Sequence, residues 1–152
     1  MSDVAGPVRT WRRDDGHVVS TDCDRLDLDV IHGYLVRSYW SPGVARAIVA
    51  AAIRNSRCFG LYAPGGAQAG FARVVTDTAT FAYLADVFVL EEHRGRGLGA
   101  WMAGLAVGDP TLAHLRRWML VTHDAQTLYA RFGFTQPEDP ARLMLRPGPR
   151  PA

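Results

Sequence analysis

A glycine-rich segment between two apolar runs has the composition of an anion-binding loop. Gly95, Gly97 and Gly99 stand at alternate positions, where the second apolar run begins. Glycine lets the backbone approach a ligand closely and adopt positive φ, so successive N–H groups can converge on an anion at a helix N-terminus. Arg94 and Arg96 would add charge-assisted donors, which suits a diphosphate better than a single carboxylate. The pattern predicts a phosphate-binding loop between a strand and a helix.

The same loop is open to other interpretations. Gly95-x-Gly97-x-x-Ala100 formally satisfies the dinucleotide-binding fingerprint, but there the first glycine follows its strand immediately within repeated βαβ units. Here the polar residues 91–94 intervene, and the chain offers only one βαβ crossover. A loop that merely turns a corner is the structural alternative. The chain contains no lysine, which excludes a Walker A site and Schiff-base chemistry on a lysine.

The loop lies between an antiparallel meander and an alternation of helices and strands. Before the loop, alternation and turn signals predict strands at Val8–Arg12, Val18–Ser20, Cys58–Ala63, Ala67–Val75 and Ala79–Leu90. After it we predict a helix at Gly97–Val107, a strand at Trp118–Thr122, a helix from an Asp124 N-cap to about Arg131, and a last strand at Arg142–Arg146. The predicted fold class is α+β: a mixed sheet with an antiparallel meander and one βαβ crossover, flanked by about four helices.

Two of the four predicted helices lie between the strand at Val18–Ser20 and the strand at Cys58–Ala63. The first is predicted from helical spacing of the apolar residues Leu28, Ile31, Leu35 and Tyr39. Ser41-Pro42 has the form of a second helix start, with an N-cap and a first-turn proline. This helix would turn inward Val44, Ala45, Ile48, Ala52 and Ile53. Tyr39 and Trp40, between the helices, either pack as a helix corner or line a substrate pocket.

Size and composition limit the class of protein. The 152 residues suit one domain, which we expect over residues 1–146, followed by a flexible Pro-rich tail at 147–152. A net charge of +2 with scattered arginines argues against nucleic-acid binding. The longest uncharged apolar stretch, Gly97–Gly108, is too short to span a membrane. Two cysteines outside any CxxC pair and the absence of a signal peptide predict a cytoplasmic location.

Two segments together resemble the GNAT superfamily of N-acetyltransferases. Arg94-x-x-Gly97-x-Gly99, which opens a helix after a strand, is similar to the family's Gln/Arg-x-x-Gly-x-Gly/Ala loop. The segment 125–134 has the sequence Ala-Gln-Thr-Leu-Tyr-Ala-Arg-Phe-Gly-Phe and is similar to the family's Ala-x-x-Leu-Tyr-x-x-x-Gly-Phe signature. The resemblance covers about residues 8–146. One position departs from the family pattern: Thr122 stands where many members have an asparagine that contacts the cofactor. We therefore infer no cofactor contact for Thr122.

The resemblance implies transfer of the acetyl group of acetyl-CoA to a primary amine of a small molecule or peptide, by direct attack in a ternary complex and without a metal. It implies that the diphosphate binds at Arg94, Gly95, Arg96, Gly97, Leu98, Gly99 and Ala100. The pantetheine arm would add to the sheet edge beside Val87, Phe88 and Val89, where an N–H near Phe88 polarises the thioester carbonyl. In the family this strand carries a bulge and splays from its parallel neighbour, which is here Trp118–Thr122.

The resemblance also assigns the proton transfers. Tyr129 would protonate the leaving thiolate, because an ordinary tyrosine is protonated at neutral pH. The structural alternative for Tyr129 is an aromatic residue on a helix face that packs in the core. A protonated alkyl amine must lose a proton before it attacks, and Asp86 is the first candidate for that base or for a counter-ion to the amine. A structural carboxylate is the equal alternative for Asp86. Weaker candidates are Tyr83, Glu91, His93 and His123.

Three points stay open at this stage. The acceptor would contact Tyr39, Trp40 and Tyr83, which offer aromatic walls that select no single amine. A non-catalytic acyl-CoA-binding or sensor domain is the alternative function from a different class. The resemblance allows a homodimer without requiring one.

Overall fold

A six-stranded mixed sheet with the strand order β1-β2-β3-β4-β5-β6 organises the molecule. The structure, a computed structural model, describes residue 4 and residues 6–149. The strands are β1 (Thr10–Arg12), β2 (Val18–Ser20), β3 (Arg57–Tyr62), β4 (Gln68–Thr76), β5 (Phe81–Val89) and β6 (Arg117–Leu120). Neighbouring strands pair antiparallel from β1 to β5, and β5 pairs with β6 in parallel.

Four α-helices cover the two faces of this sheet. They are α1 (Leu28–Leu35), α2 (Arg46–Arg54), α3 (Leu98–Val107) and α4 (Gln126–Ala130). Consecutive side chains of a strand point to opposite faces. Cys58 accordingly packs with residues of α1 and α2, whereas its neighbour Phe59 packs in the larger core with α3. The helices therefore lie on both faces, and the predicted α+β class is confirmed.

The connection from β5 to β6 through α3 is the single βαβ crossover that the sequence predicts. Apolar residues occur around the whole helix because it lies between the sheet and α4. Its buried residues are Leu98, Met102, Ala103 and Ala106. The glycine-rich loop thus connects the end of β5 to the N-terminus of α3.

The predicted start of the second helix is wrong. Ser41-Pro42 precedes a turn in which Gly43 adopts a φ of 72°, and α2 begins only at Arg46 after Ala45. The later start leaves Val49 as the buried residue of the helix, while Ile48 is 61% exposed and Ala45 is also exposed. The first helix also ends earlier than predicted, at Leu35, so Tyr39 is not on its buried face.

The predictions near the C-terminus are wrong at two points. Residues 142–146 form no strand: a short 3₁₀ turn covers Pro140–Arg142, and the apolar residues after it are exposed. Pro140 and Pro147 leave only a short segment between them, and it joins no strand of the sheet among the described residues. Asp124 does not cap α4, because the Thr122 hydroxyl accepts from the Ala125 N–H instead, at 3.0 Å. Residues 150–152 of the predicted tail, and 1–3 and 5 of the predicted domain, lie outside the described residues.

Among residues 4 and 6–149, no helix is long and apolar enough to cross a membrane. Within the same residues, no three His, Cys, Asp or Glu side chains gather as a set that could hold a metal ion.

Candidate active site

Strand β5 changes its pairing halfway along its length. Phe88 pairs with Phe71 of β4 and Ala85 pairs with Arg73, so β5 has one more residue than β4 in this stretch. This is a β-bulge, and Asp86 within it has a φ of 55°. The parallel pairing with β6 ends at Leu84. The rest of β5, through Val89, therefore has no strand partner on that side among the described residues, and the two strands diverge into a cleft.

The glycine-rich loop at the end of β5 leaves backbone amides available. Gly95 and Gly97 have φ values of 80° and 71°, and Gly97 is the N-cap of α3 without any side-chain hydrogen bond to the helix start. A Cβ atom on either glycine would meet no atom within 4 Å, so the space above the loop is open. The hollow there has a volume of about 190 Å³ and is lined by Val89, His93, Arg94, Gly95, Gly97, Leu98 and Gly99. An uncapped helix N-terminus of this form fits a phosphate group.

The two arginines of the loop differ in their surroundings. Arg94 is directed back onto the protein, where it donates to the Val89 carbonyl at 3.0 Å and to the Tyr34 hydroxyl at 2.8 Å. It therefore ties the loop to β5 and α1. Arg96 is exposed and makes no ion pair with any described residue. Of the two, Arg96 is the guanidinium left available to an anion.

Tyr129 lies on α4 and is almost completely buried. Burial, with a smaller contribution from Tyr39, raises the pKa of Tyr129 above the ordinary tyrosine value. Its ring packs against Phe134 with a centroid distance of 6.1 Å, and its hydroxyl has no hydrogen-bond partner among the described residues. The phenol is therefore protonated at neutral pH and able to donate to a ligand.

Each carboxylate oxygen of Asp86 accepts one hydrogen bond from another side chain. Trp40 donates its indole N–H to Oδ1 at 3.0 Å, and Arg73 donates its Nε–H to Oδ2 at 2.8 Å. This geometry favours the structural alternative for Asp86 over the general base. The sequence analysis missed Arg73, although it is the one charged residue within the predicted strand Ala67–Val75, and that isolation was an available signal.

Rings from three parts of the chain meet beside Asp86. We call Tyr34, Tyr39, Trp40 and His123 the aromatic cluster. Tyr39 lies 5.0 Å from Trp40 and 5.7 Å from His123, and Tyr34 lies 6.1 Å from Trp40, between ring centroids. Tyr39 is 65% exposed and Trp40 is 38% exposed, so part of the cluster faces solvent. The structure records no ring contact between Tyr83 and the cluster.

The weaker base candidates have other surroundings. Glu91 pairs with Arg37 at 2.7 Å, and this arginine holds the pKa of Glu91 down at about 2. His93 lines the hollow at the loop and lies 6.1 Å from His17 between ring centroids. His123 belongs to the aromatic cluster, at the cleft. Of the three, only His123 makes a recorded ring contact with the aromatic cluster, through Tyr39.

The chain is similar to acetyltransferases in both sequence and structure. Residues 54–136 match the family model described as an acetyltransferase (GNAT) domain. A protein of Gibberella zeae, named as a candidate acetyltransferase, is 34% identical over 86% of this chain and 84% of its own length. A crystal structure of a candidate GNAT acetyltransferase from Xanthomonas campestris pv. campestris is 48% identical, covers 88% of this chain and 94% of its own, and superposes with a TM-score of 0.84.

A more distant structure shares the fold alone. It is an acetyltransferase assigned from sequence in Clostridium acetobutylicum, 12% identical, with a TM-score of 0.61 and coverage of 92% of this chain and 95% of its own. At this identity the likeness concerns the arrangement of strands and helices and extends to no particular side chain.

Proposed function

Since the chain belongs to the GNAT family of acyl-CoA-dependent acetyltransferases, we propose that it transfers the acetyl group of acetyl-CoA to a primary amine of a small molecule or peptide. One observation carries the proposal: beyond Leu84, β5 has no strand partner on its β6 side among the described residues, and a short 3₁₀ turn at Glu91–His93 joins it to a glycine loop at a helix start without a side-chain cap. The Clostridium acetobutylicum structure was solved with acetyl-CoA, which supports the same co-substrate here.

The loop and β5 supply the binding groups. Backbone amides from Gly95 to Ala100, with the exposed Arg96, would bind the diphosphate, while Arg94 holds the loop in place. The unpaired edge at Val87–Val89 would bind the pantetheine arm as an added strand. Acetyl-CoA supplies an acetyl group activated as a thioester. An N–H near Phe88 would donate to the carbonyl oxygen as negative charge develops there.

Two proton transfers complete the reaction. Freeing the lone pair of an alkyl amine at pH 7 costs about 4.6 kcal/mol, because its pKa is near 10.4. We assign that proton to water in the cleft, since both oxygens of Asp86 already accept from N–H donors. Tyr129 would donate its proton to the departing thiolate, and its raised pKa keeps that proton in place until it is needed.

A Tyr129→Phe enzyme tests this function. The substitution keeps the packing against Phe134 and removes only the hydroxyl. We expect kcat to fall by about 10²-fold or more, as for loss of a general acid, with the Kd for acetyl-CoA retained in calorimetry. Tyr62→Phe, at another buried tyrosine on β3, is the matched control. Unchanged turnover of Tyr129→Phe would remove Tyr129 from the mechanism.

The alternative is a non-catalytic acyl-CoA-binding domain. It would keep the glycine loop and would have no need of a protonated phenol at the cleft. The buried Tyr129 supports the enzyme instead. A thiol-release assay with a panel of amines separates the two, because a sensor domain would bind acetyl-CoA and release no CoA with any amine.

A further inference from the structure

A chain of hydrogen bonds runs from the sheet to the segment between α1 and α2. Ser56, just before β3, accepts from Arg73 Nη1 at 3.1 Å. Arg73 donates to Asp86 at 2.8 Å, and Trp40 donates to the other oxygen of Asp86 at 3.0 Å. The Asp86 side chain is only 12% exposed. A partly buried carboxylate with two donors is held in place, so it fixes the indole that it binds.

The backbone conformation at Asp86 directs its carboxylate toward these two donors. The residue lies in the bulge of β5 with a φ of 55°, in the left-handed region that Asp and Asn tolerate better than other non-glycine residues. A bulge re-aims a side chain relative to the regular alternation of a strand. Here the carboxylate reaches both Arg73 on the adjacent strand and Trp40 on the segment above.

The surroundings of Trp40 indicate what binds against it. Tyr39 and Trp40 are rings of the aromatic cluster that face solvent, whereas Tyr34 is stacked on Phe88 and lies under the Arg37 guanidinium. Tyr39 is also close enough to Tyr129 to raise the pKa of that residue. Two carboxylates near this region carry arginine partners: Asp86 pairs with Arg73, and Glu91 pairs with Arg37. Ring faces favour a flat apolar body and a single ammonium group. The additional ammonium groups of a polyamine would gain no unpaired carboxylate from these two residues.

We propose that Asp86 is a positioning residue that holds Trp40 as a wall of the acceptor site, and that the acceptor is a monoamine with a flat apolar body, such as an arylalkylamine. The inference rests on the proposed function, since it names the acceptor class for the same transfer. Asp86 acts through Trp40 and takes no proton from the substrate.

The first experiment compares Asp86→Asn, Trp40→Phe and the double variant with tryptamine as acceptor. Asparagine tolerates the φ of Asp86 and phenylalanine keeps a ring, so the fold is retained. Each single change should raise the KM for tryptamine by about tenfold, the scale of one lost hydrogen bond, with kcat within about twofold. The double variant should resemble a single one, because both changes break the same bond.

Two results of that experiment would overturn the positioning role. One is a collapse of kcat in Asp86→Asn that also removes the acidic limb of the pH–rate profile, which is the behaviour of a general base. The other is full additivity in the double variant. Asp15→Asn, which breaks the carboxylate–arginine pair with Arg13 on the β1–β2 turn, is the matched control and should leave KM unchanged.

The second experiment tests the acceptor class on the unmodified enzyme. The kcat/KM for tryptamine and for phenethylamine should be at least about tenfold higher than that for putrescine or spermidine. A difference of about tenfold is what the loss of one ring contact would produce. Equal or better transfer to the polyamines would overturn the inference.

A binding titration keeps this inference separate from the proposed function. Tryptamine is titrated calorimetrically into the protein with CoA bound, for the unmodified chain and for Asp86→Asn. Weaker binding to Asp86→Asn supports the positioning role even if no amine is acetylated, in which case the proposed function alone fails. Equal binding to both proteins overturns the positioning role whether or not transfer occurs.

Discussion

Two carboxylate–arginine pairs involve arginines of this sheet, and they serve different purposes. Arg57 at the start of β3 pairs with Asp109 just after α3, and both side chains are 0% exposed. Arg73 and Asp86 pair on adjacent strands further along, beside the cleft. The first pair has only protein around it, since Asp109 also accepts from the Thr111 N–H at 3.0 Å and Arg57 donates to the Pro7 carbonyl at 3.1 Å.

The difference lies in the third partner. At Asp109 the further donor is a backbone N–H, and a second arginine, Arg9, forms an ion pair with the same carboxylate at 3.4 Å. At Asp86 the further donor is the indole of Trp40, whose ring is partly exposed in the cleft. The same chemical pair thus stabilises the fold in one place and orients a side chain toward ligand in the other. Stability and acceptor binding should therefore respond to different substitutions.

Asp109→Asn should have the largest effect on stability. It leaves the Arg57 guanidinium buried without its opposite charge, which costs about 3–5 kcal/mol and is a large part of the stability of a domain this size. Urea unfolding followed by circular dichroism measures the change. Asp15→Asn, at an exposed pair, is the control. A loss smaller than that of Asp86→Asn would contradict the contrast between the two pairs.

Asp86→Asn should have an intermediate effect on stability and the larger effect on acceptor binding. Its hydrogen bonds are partly exposed, so we expect a loss of about 1–3 kcal/mol in the free energy of unfolding, together with a raised KM for the acceptor. An Asp109→Asn protein that is still folded at low temperature should show the KM of the unmodified enzyme. If both variants changed KM equally, the pairs would not be functionally distinct.

Glu91→Gln should have the smallest effect. This third pair, with Arg37, is exposed, and solvent screens it. Because Arg37 lowers the pKa of Glu91 from 4.5 to about 2, the pair stabilises the protein above pH 4.5 and loses that contribution as the pH falls toward about 2. The slope of unfolding free energy against pH should become shallower in that window. Glu92→Gln, at the adjacent exposed glutamate, is the matched control.

The fold and the loop were predictable because their signals are local. Alternating glycines after an apolar run specify the loop, and the apolar character of residues 97–107 specifies α3. The start of α2 was predicted wrongly because Ser41-Pro42 has the right residues for a helix start, while the left-handed Gly43 delays the helix. The strand predicted at Arg142–Arg146 has suitable residues and lacks a partner strand among the described residues.

The two carboxylate–arginine pairs were beyond a local analysis. Asp109 follows the predicted helix Gly97–Val107, and its partner lies 52 positions earlier in the chain, where no local pattern connects the two. Asp86 was identified as a candidate, yet its pairing with Arg73 depends on the register of β4 and β5 and on the bulge that shifts it. Long-range register decides whether a carboxylate is free for chemistry or engaged by a neighbour.

Strand β6 pairs with one neighbour through four registered residues, whereas β4 pairs along both of its edges. The wall of the cleft opposite β5 is thus formed by β6, an edge strand with few backbone hydrogen bonds to the rest of the sheet. Local opening needs the least free energy where backbone hydrogen bonds are few and exposed. Amide protons of β6 should accordingly exchange with deuterium sooner than those of β4. Local opening at this edge strand would let a bulky acceptor enter the cleft while the centre of the sheet stays intact.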